Sequence, residues 1–179
     1  MDHELTLHVD GAQRRLSVDP RASLLDALRQ RLGVTSPKKG CDHGQCGSCT
    51  VLVDGIRVLS CLTLAVTRDG AEVVTADGLA GARGGIATGR EHPVQRALVG
   101  EDGFQCGFCT PGQVCSAVGM LDELDRGRPS AVTGDLTGTP ELDDAEIAER
   151  MSGNLCRCGA YLGIRAAVAR AAHEREGRR

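Results

Sequence analysis

Hydrophobic and polar positions alternate from the start of the chain. Leu5, Leu7 and Val9 are interleaved with Thr6 and His8, and Leu16 and Val18 resume the alternation after Asp10-Gly11. A period of two on either side of an Asp-Gly pair predicts a β-hairpin closed by a tight turn. The period then lengthens. Leu25, Leu28 and Leu32 share one face at i, i+3 and i+7, Ser23 is placed to N-cap with Asp26 at N3, and Gly33 supplies a left-handed stop, so one amphipathic helix is expected. Thr50 to Val53 and Ile56 to Leu59 flank Asp54-Gly55 as a second hairpin, and Glu72 to Thr75 reads as a last short strand.

Two hairpins crossed by one helix are the parts of a β-grasp ferredoxin fold. From Gly78 to Gly89 the sequence is Gly/Ala-rich without a period, which reads as an interdomain linker. Beyond it the period becomes helical. Pro93 at N1 opens a helix through about Val99. Thr110-Pro-Gly-Gln113 reads as a capping box, after which Val114, Val118 and Leu121 line one face. Asp143 and Glu146 form a second box with Leu142 and Ile147 as its hydrophobic staple, and a last helix from about Ala160 carries Tyr161, Ile164 and Val168 on its apolar face. A Pro/Gly/Thr-rich loop runs from Gly127 to Glu141. The expected class is α+β, with a ferredoxin-like β-grasp domain over residues 1–79, a linker over 80–91 and a four-helix bundle over 92–179.

Composition sharpens this picture. Two halves of about 80 residues each are marginal for a purely apolar core. The chain has no Trp, one Tyr and two Phe, so interiors organised around metal groups are expected, since ligation contributes to folding free energy. A formal charge of −3 with interspersed signs argues against nucleic-acid binding. No apolar run approaches a membrane span, and Arg14-Arg15 precedes no apolar segment, so no membrane association and a cytoplasmic location are expected.

Nine cysteines, an odd number, argue in a reducing compartment for metal or redox chemistry rather than a disulfide framework. Cys41, Cys46, Cys49 and Cys61 have the plant-type ferredoxin spacing of a [2Fe–2S] site. Structural zinc sites more often pair two C-x2-4-C knuckles. The loop holding the first three also carries Gly40, Gly44 and Gly47, whose amides are free to point at sulfur. Cys106 and Cys109 alone admit a second reading, as a thioredoxin-type dithiol. Joined with Cys156 and Cys158 they make a second tetrad, each half at a helix N-terminal end. Cys115 falls inside a helix and is expected to be a small buried hydrophobe. His43 is expected to be a solvated loop residue.

The first tetrad, Gln105-Cys-Gly-Phe-Cys-Thr-Pro-Gly112 and Ser152-Gly-Asn-Leu-Cys-Arg-Cys-Gly-Ala-Tyr161 together resemble the iron–sulfur subunit of the molybdenum hydroxylases, the xanthine dehydrogenase and aldehyde oxidase family. Asn154 to Tyr161 is most similar to bacterial three-subunit aldehyde dehydrogenases. The resemblance implies an electron-transfer subunit with two [2Fe–2S] clusters, in a heterotrimer or a dimer of heterotrimers. A molybdopterin-binding large subunit would oxidise an aldehyde or aromatic heterocycle, and an FAD-binding medium subunit would receive the electrons, leaving no substrate chemistry in this chain. It also implies that Gln105 and Cys158 lie against the pterin. A free-standing ferredoxin shuttle and a zinc-stabilised binding scaffold are the rival functions.

Overall fold

The computed structural model describes residues 2–82 and 91–177. Strands β1 (His3–Val9) and β2 (Ala12–Val18) pair antiparallel, with Leu5 opposite Leu16 and Val9 opposite Ala12. Asp10 and Gly11 between them take φ of 51° and 81°, the left-handed pair that lets a two-residue turn follow the strand twist. Strands β3 (Thr50–Val53) and β4 (Ile56–Leu59) repeat the device around Asp54 and Gly55. Strand β5 (Glu72–Val74) runs parallel to β1 and antiparallel to β3, giving one sheet in the order β2-β1-β5-β3-β4. The Asp10 carboxylate accepts hydrogen bonds from the Thr75 amide and hydroxyl at 2.7 and 2.8 Å, fastening the first turn to the end of β5.

The crossing helix forms where the pattern placed it, with an internal change of pitch. Ser23 caps α1 (Leu24–Asp26) by accepting from the Asp26 amide at 3.1 Å, but Ala27–Arg31 continues as a π-helical turn. The amide of Leu32 reaches back to the Ala27 carbonyl, and the chain leaves through Gly33 at φ 69°. The wider turn leaves Leu32 only half-buried, and Leu24, Leu25, Ala27 and Leu28 fill the interior instead.

Two apolar clusters share the sheet. One lies between α1 and the face carrying Leu5, Leu7, Val9, Val51, Val53 and Val73. The other lies on the opposite face, where Leu52 and Val74 pack with residues of the C-terminal helices. All four β3 residues are buried, as expected of a strand covered on both sides. The cores are built of Leu, Val, Ala, Ile and Met with Cys115 and Cys156, and the second one runs continuously from the sheet into the helices, so neither half closes its interior alone.

Among the described residues five further α-helices follow the sheet. The short α2 (Leu79–Ala82) occupies the start of the stretch expected to be a linker, and Leu79 is fully buried in the second core. Residues 83–90, the rest of that stretch, lie outside the described residues. Helix α3 (Pro93–Gly100) is capped by His92, whose Nδ1 accepts from the Val94 amide. Helix α4 (Thr110–Asp125) lies on β3, α5 (Asp144–Met151) packs on α4 and α6, and α3 packs on α6 (Tyr161–Glu176).

Three sequence expectations for these helices change. The capping box at Thr110 does not form: Cys109 holds the N-cap position without a side-chain cap, and the buried Thr110 hydroxyl has no hydrogen-bond partner. Gln113 is instead buried, and its Nε2 donates to the Asn154 carbonyl at 3.1 Å. Asp143 does cap α5, accepting from the Glu146 amide at 2.8 Å. The Glu146 carboxylate does not return to the cap, because Arg150 and Thr133 hold it. Ile164 and Val168 face the core, whereas Tyr161 is 44% exposed and turns toward the cysteines.

Candidate metal centres

Each predicted cysteine set is brought together. None of the nine cysteines forms a disulfide. In the first set the loop after Gly40 wraps back on itself, so that the Cys41 sulfur accepts from the amides of His43, Gln45 and Cys46 at 3.5, 3.2 and 3.4 Å. The Cys46 sulfur accepts from the Cys41 amide at 3.4 Å, and Cys61, arriving after β4, lies against Cys49. Gly40 is needed for this wrap, since a Cβ there would stand 2.8 Å from the Cys46 sulfur. His43 is exposed, with its ring Nδ1 2.6 Å from the Cys41 carbonyl rather than in the thiol ring.

The second set forms where two helices begin. Cys109 immediately precedes α4, and Cys156 and Cys158 lie just before α6, so both helix N-termini lie beside the thiols. Cys106 meets Cys158, and Cys109 meets Cys156. Cys106 is exposed and Cys156 buried. Gln105, next to Cys106, is exposed. Cys115 is 1% exposed within the second core, as its helical position predicted.

The thiols differ in acidity for clear reasons. The amide of His43, joined by those of Cys46 and Gln45, holds the Cys41 thiol down at about 6 despite partial burial. The Phe108 amide, then Cys158, lowers Cys106. Burial, with Cys49 alongside, pushes Cys61 up to about 11, and burial with Cys156 alongside does the same to Cys109. Each ring thus holds one thiol lowered by backbone amides and one raised by burial. Burial raises Cys115 as well, which keeps it an inert thiol.

Among the described residues no three Cys, His, Asp or Glu side chains converge on a single metal ion. A [2Fe–2S] group divides its four thiolates between two irons and asks for a wider ring. The sulfur-directed amides, the Gly40 cradle and the all-thiol donor set fit such a group.

The two rings are close neighbours. A groove of about 500 Å³ is lined by Cys46 from the first, by Cys106, Cys109 and Cys156 from the second, and by Phe108 and Tyr161. The amide of Leu155 donates to the Cys46 carbonyl at 3.0 Å. The Asn154 side chain donates to the Gly47 carbonyl at 3.0 Å. The amide of Cys156 donates to the Tyr161 hydroxyl at 2.8 Å. Sequence reasoning assigned Gln113 and Tyr161 to other tasks and gave Asn154 and Leu155 no individual role. Gln113, a polar residue at the head of an apolar helix, was the one signal that such a junction existed.

Residues 7–76 match the family described as 2Fe-2S iron-sulfur cluster binding domain, and residues 75–169 the family described as [2Fe-2S] binding domain. The chain is similar to the aldehyde oxidoreductase iron-sulfur-binding subunit PaoA of Escherichia coli (strain K12), 54% identical over 170 residues that cover 95% of this chain and 72% of that one. It is 37% identical over 164 residues to the nicotinate dehydrogenase small FeS subunit of Eubacterium barkeri, covering 92% and 91% of the two chains. Its structure is similar to that of quinoline 2-oxidoreductase from Pseudomonas putida 86, with a TM-score of 0.79 at 33% identity, covering 99% of this chain and 97% of that chain.

Proposed function

The chain belongs to the iron–sulfur subunits of the molybdenum hydroxylases, the electron-transfer part of an oxidoreductase, and we propose that its two rings, Cys41/Cys46/Cys49/Cys61 and Cys106/Cys109/Cys156/Cys158, each hold a [2Fe–2S] cluster. Bound there, the two groups supply a one-electron relay between a molybdopterin-binding large subunit and an FAD-binding medium subunit while the large subunit oxidises an aldehyde or aromatic heterocycle. The observation that carries this reading is the hydrogen bond from Leu155 to the Cys46 carbonyl, which joins the residue before one ligand to another ligand of the opposite ring.

The chain's own residues do three things in this scheme. Backbone amides around Cys41 stabilise anionic sulfur, and the N-terminal ends of α4 and α6 do the same for the second ring. We read the four longer helices as a bundle built around that second ring. In the loop of the first ring Gly44 leaves room for Leu62, whose side chain a Cβ there would meet at 2.4 Å. The chain's only Phe and Tyr residues, Phe104, Phe108 and Tyr161, are all exposed, and Phe108 and Tyr161 line the groove at the second ring together with Leu155. Such a face supports docking of the molybdopterin-binding partner there, with Gln105 and Cys158 as the contacts to its pterin.

Iron analysis tests this reading. Purified anaerobically, the chain is expected to carry about four irons and four acid-labile sulfides. Reduced with dithionite, it is expected to give two distinguishable rhombic EPR signals and to co-purify with a flavoprotein and a molybdopterin protein. Zinc at full occupancy would support the scaffold function instead. A native, monodisperse monomer would support the free shuttle.

A further inference from the structure

The junction between the two rings is held by one buried side chain. Asn154 is 5% exposed, and its carboxamide works in two directions at once. Its Nδ2 donates to the Gly47 carbonyl at 3.0 Å, in the loop of the first ring, and its Oδ1 accepts from the Ser116 hydroxyl at 2.5 Å, on α4. Its own carbonyl accepts from Gln113 at 3.1 Å, again on α4. The residue after it makes the 3.0 Å bond to Cys46, and the residue after that is Cys156.

The backbones meet here without slack. A Cβ added at Gly47 would lie 2.3 Å from the Gly153 carbonyl oxygen and 2.6 Å from Asn154 Nδ2. A Cβ at Gly112, in the first turn of α4, would lie 2.4 Å from the Gly47 carbonyl oxygen. Two loops and a helix are therefore packed main chain to main chain, and at their meeting point the Gly47 carbonyl, which already accepts from the Thr50 amide and hydroxyl at 3.0 and 2.7 Å, takes the Asn154 amide as a further donor from across the junction. Asparagine suits the place because its short amide donates on one side and accepts on the other, with few torsions to fix.

We propose that Asn154 is a positioning residue for electron exchange between the two rings: by clamping the Gly47 loop against α4 it sets the separation of Cys46 from Cys156. The inference rests on the reading that both rings hold a redox group. Electron exchange between such groups falls exponentially with their separation, so a small relaxation of this clamp reaches the function without displacing any ligand. Among the described residues the side chain's hydrogen bonds run to Ser116 and Gly47 rather than to a sulfur, which separates its role from that of the ligands.

The test uses the iron-loaded full chain in its complex, comparing wild type with Asn154→Ala and with Ser116→Ala. The second substitution keeps the bond to Gly47 and removes only the hydroxyl that orients the amide, so it remains informative if Asn154→Ala does not fold. The expected result is an unchanged iron count in both variants and a weaker magnetic interaction between the two reduced centres in low-temperature EPR. Exchange between the centres, followed after pulse reduction, is expected to slow several-fold in Asn154→Ala and by less in Ser116→Ala. Wild-type interaction and rate in an iron-replete Asn154→Ala would overturn the proposal. So would an Asn154→Ala that cannot be loaded alongside a Ser116→Ala identical to wild type in both readouts. A wild-type protein with only one EPR-active centre would overturn the two-cluster reading beneath it, and is distinguishable because it needs no variant.

Discussion

Arg57 on β4 grips Glu123 on α4 through two hydrogen bonds, each 2.8 Å long, and its remaining terminal nitrogen donates to the Arg150 carbonyl at 2.7 Å. One guanidinium thus ties the edge of the sheet to two helices. Gly119 leaves the space its stem occupies, since a Cβ there would meet Arg57 Cγ at 2.8 Å. The fork geometry and partial burial make this a stronger pair than the exposed ion pairs elsewhere on the surface.

Arg57→Met is therefore expected to destabilise the docking of the helices on the sheet by about 1–3 kcal/mol, because Glu123 and a main-chain carbonyl lose a charged partner. Arg57→Lys is expected to restore only part of this, as an ammonium cannot satisfy the carboxylate and the carbonyl with the same planar fork. Thermal unfolding followed by the visible absorbance of the loaded protein measures both. Equal midpoints for wild type and Arg57→Met would refute the grip.

Gly112→Ala is expected to cost about 1–3 kcal/mol by overpacking, with a lower yield of loaded protein, since its new methyl meets main-chain atoms that have no rotamer to change. Gly153→Ala, where nothing lies within 4 Å of the added carbon, is the matched control and is expected to be near neutral. Comparing the iron content of the two variants separates close approach from a general intolerance of alanine.

Cys115 offers a check on the ligand assignment. It is buried, its thiol is raised by burial, and it belongs to the second core, so Cys115→Ala is expected to leave the iron content unchanged at a cost of about 1 kcal/mol. Cys158→Ser is expected to remove about half the iron and one of the two EPR signals. A Cys115→Ala protein that lost a signal would reassign the second ring.

Acid stability depends on Glu146. Burial opposes its charge, but hydrogen bonds from Thr133, Ser130 and Arg150 outweigh that and hold its carboxyl below the ordinary 4.5. The folded state therefore favours the ionised form. The stabilisation is fully present above the ordinary pKa and is lost as pH falls through the lowered one. Glu146→Gln is expected to flatten this acid limb and to cost about 1–3 kcal/mol at neutral pH, because the buried Arg150 loses the opposite charge at 2.8 Å while keeping Glu123 at 4.0 Å. Unfolding curves across the acid range show whether the pH dependence vanishes with the carboxylate.

Much of the site was already legible in the order of residues. Cysteine spacing marks candidate ligands because a short loop can wrap a metal group only at certain separations, and those separations are local properties of the chain. The same holds for the Asp10-Gly11 and Asp54-Gly55 turns and for the helix started by Ser23, where partners lie within a few residues. The tertiary structure decided what lies between these units. Gln113 satisfied the local rule for a capping box, yet a contact 41 residues along the chain drew it to Asn154. Tyr161 fitted an apolar stripe, yet its hydroxyl turns to the Cys156 amide once α6 is seated beside the cysteines. Asn154 and Gly47 are 107 residues apart, a relationship no periodicity encodes. The physical reason is range: turn, cap and ligand preferences act over a few bonds, whereas the spacing of the two rings depends on which distant surfaces the fold brings into contact.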